Sequence, residues 1–410
     1  MQAISIETGR RKRVISPTFI AHCAFLLLFP GFFFYQTLLG IGAIPAFLGG
    51  YFTLVAMVLL VPLAGALFCA VKRDRAYATP LDLCLLLLAT YYLLVLAANF
   101  ASGATVIIVE RYVASVIFCF ETYVIFRMID LDDQNFLRII VISLLIMSVI
   151  TCYFSVGGFF FLQALGEAKD PASLATYQGF ARSYIFTYLI VVAVTRSVVL
   201  RYLMYVMAST ALFLNGARSE FSAIMFLIPA VELYYAKQRL YAIFALLLLS
   251  IFLVGGVETI VNALPENRIL QLFDLSHSSS AITRQRFTGD ALRTIWSSPV
   301  FGNFASYPDG HYAHNVLTTW VDFGLFGFLF FCGLLVWHAI WLFFNGFFSR
   351  TKSGDFVLAW SFVTAVILWA VTAKNMPDMS VGAALGAFAR YRYKKRHLTP
   401  AHDRPSAAWK

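Results

Sequence analysis

Three basic side chains, Arg218, Arg284 and His314, are the strongest candidates for chemistry in a sequence with few charges. Only 13% of the residues are charged, compared with about 25% in an average soluble domain. An arginine guanidinium can bind a phosphate through two parallel hydrogen bonds. A histidine has an ordinary pKa near 6.5, so its imidazole can act as a base at neutral pH. The three residues would supply an anion site beside a general base if the fold brings them together.

Arg218 lies in the segment Asn215–Glu220, where Gly216 predicts a break between two helices. Ser219 is of a residue type that caps helices, so we expect it to cap the helix that follows. A helix N-terminus exposes backbone N–H groups and the positive end of the helix dipole, which favours an anion. The segment therefore predicts a phosphate-binding turn. An arginine that extends towards lipid headgroups is the alternative interpretation.

The segment from Ala281 to Trp296 has the pattern of a short helix. At about 100° per residue, Arg286, Asp290 and Arg293 fall on one face, where they can form ion pairs in contact with solvent. Arg284 falls on the opposite face, among apolar residues. A charge in that position is costly without an anionic partner. Arg284 is therefore the preferred functional arginine and Arg286 the weaker candidate.

His314 immediately precedes a long apolar block that begins at Val316. The start of an apolar helix gives little structural reason for a histidine, so the functional interpretation is a general base. A histidine that only forms hydrogen bonds is the alternative. His311, three residues earlier, is a weaker candidate for the same role.

Membrane-spanning helices must position these residues, because 60% of the chain is hydrophobic and its apolar residues form long blocks. A helix needs about 20 mostly apolar residues to cross the hydrocarbon core, where every backbone polar group must be bonded internally. We therefore predict an all-α polytopic membrane protein with about twelve transmembrane helices. The predicted spans lie near residues 18–37, 46–71, 80–99, 105–126, 137–160, 182–196, 200–216, 219–236, 239–257, 313–345, 356–373 and 378–391.

The positions of lysine and arginine predict the orientation of the chain, because cytoplasmic loops carry an excess of these residues. Of the 31 lysines and arginines, 22 lie at the termini and in alternate loops on one side. That side is expected to be cytoplasmic, with both termini. The net charge of +10 then reflects topology and contact with anionic lipid headgroups, and no nucleic-acid partner is expected.

The expected organisation is one membrane domain with an outer cap. Its parts are a basic N-terminal segment (1–17), nine spans (18–257), a large outer loop (258–312), three spans (313–391) and a basic tail (392–410). A second outer loop runs from about Gly157 to Ala181. Long loops are uncommon unless they are functional, so the chemistry is expected on the outer face.

Three motifs follow one another in the second half of the chain. They are Gly216–Ser219 at the start of a span, Arg284 ahead of Pro299–Gly302, and His314-Asn315 followed by Asp322, Gly324 and Gly327. Together they resemble the O-antigen polymerase and O-antigen ligase superfamily, which includes capsule and exopolysaccharide polymerases. The resemblance covers about Arg201–Phe331. Two positions depart from the family pattern, since Phe304 stands where a second glycine is usual and Asp322 where glutamate is commoner.

The resemblance implies a membrane glycosyltransferase of GT-C-like architecture that inverts the sugar linkage without a metal or other cofactor. The donor would be a glycan on undecaprenyl diphosphate, and the acceptor a sugar hydroxyl. Arg218, Ser219 and Arg284 would bind the diphosphate, on which negative charge develops as it leaves. His314 would deprotonate the acceptor, with Asn315 or Asp322 orienting its ring.

The same resemblance implies a bacterial inner-membrane protein whose active site faces the periplasm. A polymerase extends the glycan on its lipid carrier, whereas a ligase moves it to another acceptor such as lipid A core; a polymerase is expected here. Membrane lipids would surround the chain, and the resemblance allows a chain-length regulator and a flippase as partners. A lipid-linked oligosaccharide flippase is a further alternative function, although transporters tend to show internal repeats and this sequence shows none.

Two groups of acidic residues have simpler interpretations. The Asp-x-Asp pattern at Asp130–Asp132 is typical of metal and nucleotide binding in soluble glycosyltransferases, but here it lies in a short cytoplasmic loop and is interpreted as solvated. Glu110 and Arg111 lie in the fourth predicted span, where charged residues are candidates for function. Mutual pairing is the simpler explanation for them, and contact with a lipid diphosphate is the alternative.

Overall fold

The computed structural model of the chain describes residues 16–238, 240–241, 243–244, 247–248, 267, 269–270, 279–307, 313–372 and 378–398. Most of the predicted ninth span, 239–257, lies outside the described residues. The basic ends at 1–15 and 399–410, parts of the large outer loop and His311 lie outside them as well.

Helices make up most of the described secondary structure. In chain order they are α1 Pro17–Gly40, α2 Phe52–Arg73, α3 Pro80–Ala101, α4 Val106–Met128, α5 Gln134–Tyr153, α6 Tyr177–Val194, α7 Val198–Asn215, α8 Arg218–Tyr235, α9 Ser279–Ser297, α10 Leu317–Phe347, α11 Gly354–Thr372 and α12 Met379–Leu398. Two short antiparallel strands, β1 Ser155–Val156 and β2 Phe159–Phe160, lie between α5 and α6.

Seven of the helices in the described part of the chain are long and apolar enough to cross a membrane, namely α1, α2, α3, α5, α7, α10 and α11. Their outward side chains are also apolar. Val61 on α2 is 75% exposed and Leu94 on α3 is 64% exposed, which suits a hydrocarbon environment far better than water. The chain is therefore an all-α, multi-pass membrane protein.

Helix α6 lies at the centre of the bundle. Between Phe180 and Ala193 all its side chains except that of Arg182 are buried, as expected for a helix that is apolar around its circumference. Phe186 contacts Phe29 of α1 and Phe362 of α11, with ring centroids 4.6 and 5.0 Å apart. The 18 residues of α6 span about 27 Å, so its two ends mark opposite ends of the bundle.

Ion pairs hold the end of the bundle at which α6 terminates. Helix α12 continues to Leu398, past the predicted end of the twelfth span at 391. Its Arg390 Nε lies 2.5 Å from Asp355 Oδ1, and its Lys394 Nζ lies 2.7 Å from Asp132 Oδ2. The loop that contains Asp130 and Asp132, interpreted from sequence as solvated, is thus tied to α12, although Asp132 itself is 81% exposed.

The predicted fifth span, 137–160, is too long. Helix α5 ends at Tyr153, and the β1–β2 hairpin follows with Gly157 and Gly158 at its turn. Both glycines have positive φ, +60° and +81°, which a hairpin turn of this kind requires and an apolar side chain would disfavour. Apolar composition alone could not separate this hairpin from the helix before it.

Candidate functional site

A tight turn places Arg218 at the N-terminus of α8. Helix α7 ends at Asn215, and Gly216 follows in the left-handed conformation with φ +74°. A Cβ at this position would overlap the ring of Phe159, whose Cδ2 would be 2.9 Å away. Glycine is therefore required both by the backbone and by the ring packed on it. Arg218 is the first residue of α8; the sequence predicted the break between the two helices here, but with the second helix starting at Ser219.

Ser219 does not cap α8, so that prediction is wrong. The N-cap residue is Ala217 and it makes no side-chain cap, because the helix begins one residue before the serine. The Ser219 hydroxyl instead donates to Glu220 Oε2 at 2.5 Å, and its carbonyl oxygen accepts from Trp369 Nε1 at 2.9 Å. Glu220 is buried in the first helical turn, where the helix dipole favours a carboxylate.

Arg218 and Arg284 line the same small cavity. The rest of its lining comes from the turn before α8 and the first turns of α8 and α6, namely Gly216, Ala217, Ser219, Glu220, Tyr177 and Gln178. The cavity volume is about 30 Å³, comparable to the share of one water molecule in the liquid. Two guanidinium groups against one carboxylate, Glu220, leave an excess of one positive charge in the lining, and together with the helix N-terminus this favours an anion.

Helix α9 confirms the predicted helix at Ala281–Trp296 and its two faces. Arg284 is half-buried and Arg286 is exposed. Arg293 pairs with Asp290 on the exposed face, whereas Ala291 and Ile295 pack with Ala313, which precedes α10, and with Val321 of α10. The Arg284 Nη1 donates to the carbonyl oxygen of Thr372 at 3.3 Å, which holds this guanidinium near the end of α11.

His314 lies between α9 and α10, in an unusual backbone conformation. Its φ is +55°, in the left-handed region that non-glycine residues seldom adopt. The next residue, Asn315, donates from Nδ2 to Thr288 Oγ1 at 3.2 Å and accepts from the Leu317 N–H at 3.0 Å. Thr288 lies one turn after Arg284 and donates to its carbonyl oxygen at 2.9 Å. These hydrogen bonds connect the His314 segment to the helix that carries Arg284.

The Pro299–Gly302 segment packs against a break in α10. Gly324 interrupts that helix with φ +67° and ψ −175°. The Leu325 N–H donates to the Val300 carbonyl at 3.0 Å, and the Asn303 N–H donates to the Val321 carbonyl at 2.6 Å. The second and third sequence motifs therefore form one structural unit at the start of α10.

Asp322 is buried within this unit. It accepts hydrogen bonds from the Tyr112 hydroxyl and from the Ala305 N–H at 3.1 Å. These contacts join α10 to α4 and to the 299–307 segment, which makes Asp322 a positioning residue. Burial raises the pKa of the nearby Tyr307, and the carboxylates of Asp322 and Asp290 raise it further, so this phenol stays neutral.

The remaining candidates lie apart from the arginine cavity or outside the described residues. Glu110 and Arg111 are both exposed on α4, and in the part of the chain that the structure describes no ion pair joins them. His311 lies outside the described residues. Over those same residues, no three His, Cys, Asp or Glu side chains cluster in a way that could hold a metal.

Sequence reasoning missed three groups that the structure brings into view. Glu220 lines the arginine cavity, and Tyr112 holds Asp322. Glu121 on α4 is fully buried, and neither carboxylate oxygen has a hydrogen-bond partner among the described residues. Of these three, only Glu121 could have been identified from the sequence, because an acidic residue inside an apolar helix is a candidate for function by default.

No protein-family model matches the sequence, and no curated protein matches it. The fold defines the chain as a multi-pass, all-α membrane protein with two arginines gathered at a helix N-terminus.

Proposed function

We propose that this chain is a membrane glycosyltransferase that polymerises a surface glycan. It would transfer repeat units from undecaprenyl diphosphate to a growing O-antigen, capsule or exopolysaccharide chain. The observation that supports this most is the cavity at the N-terminus of α8, where Arg218 and Arg284 meet. They come from distant parts of the sequence, and each matches a position of the family motifs.

In the proposed reaction, the acceptor hydroxyl oxygen forms a bond to the anomeric carbon of the donor. The bond between that carbon and the diphosphate oxygen breaks, and the configuration at the carbon inverts. His314 accepts the hydroxyl proton, and the two arginines stabilise the charge on the departing lipid diphosphate. Catalysis by fixed cations requires that they be in place before the reaction, and the contact of Arg284 with Thr372 supplies such positioning.

The cavity must widen when the donor binds. The cavity of about 30 Å³ has room for about one water molecule and a diphosphate is larger, so the arginine side chains would have to part around it. Glu220, which also lines the cavity, would then face the phosphates. The Ser219 hydroxyl already donates its hydrogen bond to this carboxylate.

The proposal extends to topology. About twelve spans in a GT-C-like arrangement would place both termini in the cytoplasm and the arginine cavity on the periplasmic face of the bacterial inner membrane. The lysine and arginine distribution supports this orientation. The arginine cavity lies at the N-terminal end of α6, and the ion-paired end of the bundle lies at its C-terminal end. These opposite positions also support the proposed orientation.

The test is an analysis of surface and lipid-linked glycan from a strain that lacks the gene, complemented with wild type or variants. A polymerase predicts single repeat units in the deletion strain and long chains only with the wild type. A ligase predicts long chains that stay on the lipid carrier. A flippase predicts repeat units that remain on the cytoplasmic leaflet, which would contradict the proposed transferase.

His314→Ala is the informative variant. We expect a general base to contribute about 10²- to 10⁴-fold to the rate, so this variant should give no long chains at a normal protein level. His397→Ala is the matched control, because His397 is exposed at the other end of the bundle. Full activity of His314→Ala would exclude His314 as the base.

Arg218→Lys tests the phosphate fork separately. Lysine keeps the charge but cannot form two parallel hydrogen bonds to a phosphate. Most activity should therefore be lost while the protein level stays normal. Activity equal to wild type would mean that Arg218 acts only as a surface charge.

A further inference from the structure

A second, larger cavity lies at the opposite end of α6 from the arginine cavity. Its volume is about 1210 Å³. It is bounded by the loop after α6, by the N-terminal ends of α5 and α11, and by the last two turns of α12. None of its lining residues belongs to the proposed transferase site.

Basic groups exceed acidic groups in the lining of this cavity. Arg196, Lys352, Lys394 and Lys395 contribute four cationic side chains, and Asp132 and Asp355 contribute two carboxylates. Lys394 lies 2.7 Å from Asp132 and 3.4 Å from Asp355, so one lysine is already shared between both carboxylates. The lining therefore contains two more cationic side chains than carboxylates, which favours an anion over a cation.

Two of these cations are held differently. Arg196 is exposed. The Lys395 Nζ donates to the Asn345 carbonyl oxygen at 2.5 Å, and burial lowers the pKa of this side chain, so an anion nearby would stabilise its charged form.

The lining of the cavity is also partly apolar. Leu131, Leu137, Ala193 and Val194 contribute to it, and Leu137 belongs to α5, one of the helices that are long and apolar enough to span a membrane. The N-terminal end of α11, another such helix, also lines the cavity. A ligand that suits this mixed lining carries both a negative group and hydrocarbon, and the ends of two apolar helices place it at the membrane surface.

We propose that this cavity binds the headgroup of an anionic phospholipid. The phosphate lies among the basic side chains, and the start of the acyl chains contacts the apolar lining residues. Basic pockets between transmembrane helices bind anionic lipids in this way. The proposal does not depend on the transferase reaction, since it concerns the other end of the molecule.

The test measures lipid binding to the purified full-length chain in neutral detergent, by native mass spectrometry. Phosphatidylglycerol should bind more tightly than phosphatidylcholine. Each basic side chain removed should weaken phosphatidylglycerol binding about fivefold, so Arg196→Gln combined with Lys395→Gln should weaken it about 25-fold. Arg138→Gln is the matched control, because Arg138 is exposed on α5 and does not line the cavity.

Equal weakening of phosphatidylglycerol binding by Arg138→Gln and Arg196→Gln would overturn the proposal, since general surface charge would then explain the binding.

A second experiment replaces the lipid with inorganic phosphate, with chloride at equal ionic strength as the reference. Thermal stabilisation by phosphate equal to that by phosphatidylglycerol would also overturn it, because a free anion would then suffice. If the double variant melts early without lipid, Arg196→Gln alone decides the outcome, since its exposed side chain can be replaced without disturbing the core.

Discussion

Replacing Gly324 with alanine tests whether the break in α10 organises the site. Gly324 has φ +67° and ψ −175°, a combination essentially confined to glycine. An added Cβ would overlap the Val300 carbonyl oxygen and lie 2.8 Å from the carbonyl carbon of Phe301. Both neighbours are backbone, so the Pro299–Gly302 segment would have to move away.

The expected loss of stability follows from these contacts. The backbone strain amounts to about 1–3 kcal/mol. Displacement of the segment would break the hydrogen bonds between Leu325 and Val300 and between Asn303 and Val321, each contributing about 1 kcal/mol. Gly324→Ala should therefore destabilise the protein by about 3–5 kcal/mol.

The assay is thermal unfolding of the detergent-solubilised protein, together with glycan chain length in the complemented strain. Gly333→Ala is the control on the same helix, because a Cβ there meets no atom within 4 Å. In a helix interior that change should be neutral or stabilising by up to about 1 kcal/mol. Equal melting temperatures for the two variants would refute the role assigned to Gly324.

Two further substitutions probe the site. Arg284→Lys should reduce glycan transfer about 10- to 100-fold, the effect of weakening one charge-assisted hydrogen bond. The control Arg286→Lys should change the transfer rate by no more than about twofold, because the Arg286 side chain is exposed. Similar transfer rates for both variants would contradict the assignment of Arg284. Tyr112→Phe removes the hydroxyl that donates to buried Asp322, and should destabilise the protein by about 1–3 kcal/mol in thermal unfolding. Tyr153→Phe is its control, since Tyr153 is 79% exposed, and equal effects would exclude a role for the Tyr112 hydroxyl.

Local patterns in the sequence predicted the local features of the candidate site. The helix turn before Arg218, the helix that carries Arg284 and the two faces of that helix were all predicted, because each depends on residues within about four positions of one another. The Ser219 cap was wrong because a shift of one residue in a helix start changes which side chain reaches the free N–H groups.

The sequence by itself determined that the chain crosses the membrane repeatedly, since hydrocarbon accepts only long apolar helices with internally bonded backbones. It also determined which few charged residues required an explanation. Only the tertiary structure decided that Arg218 and Arg284 line one cavity, that Asp322 binds Tyr112, and that the Pro299–Gly302 segment packs against Gly324. These contacts join residues far apart in the chain, and they depend on how helices pack, which periodicity along one helix does not encode.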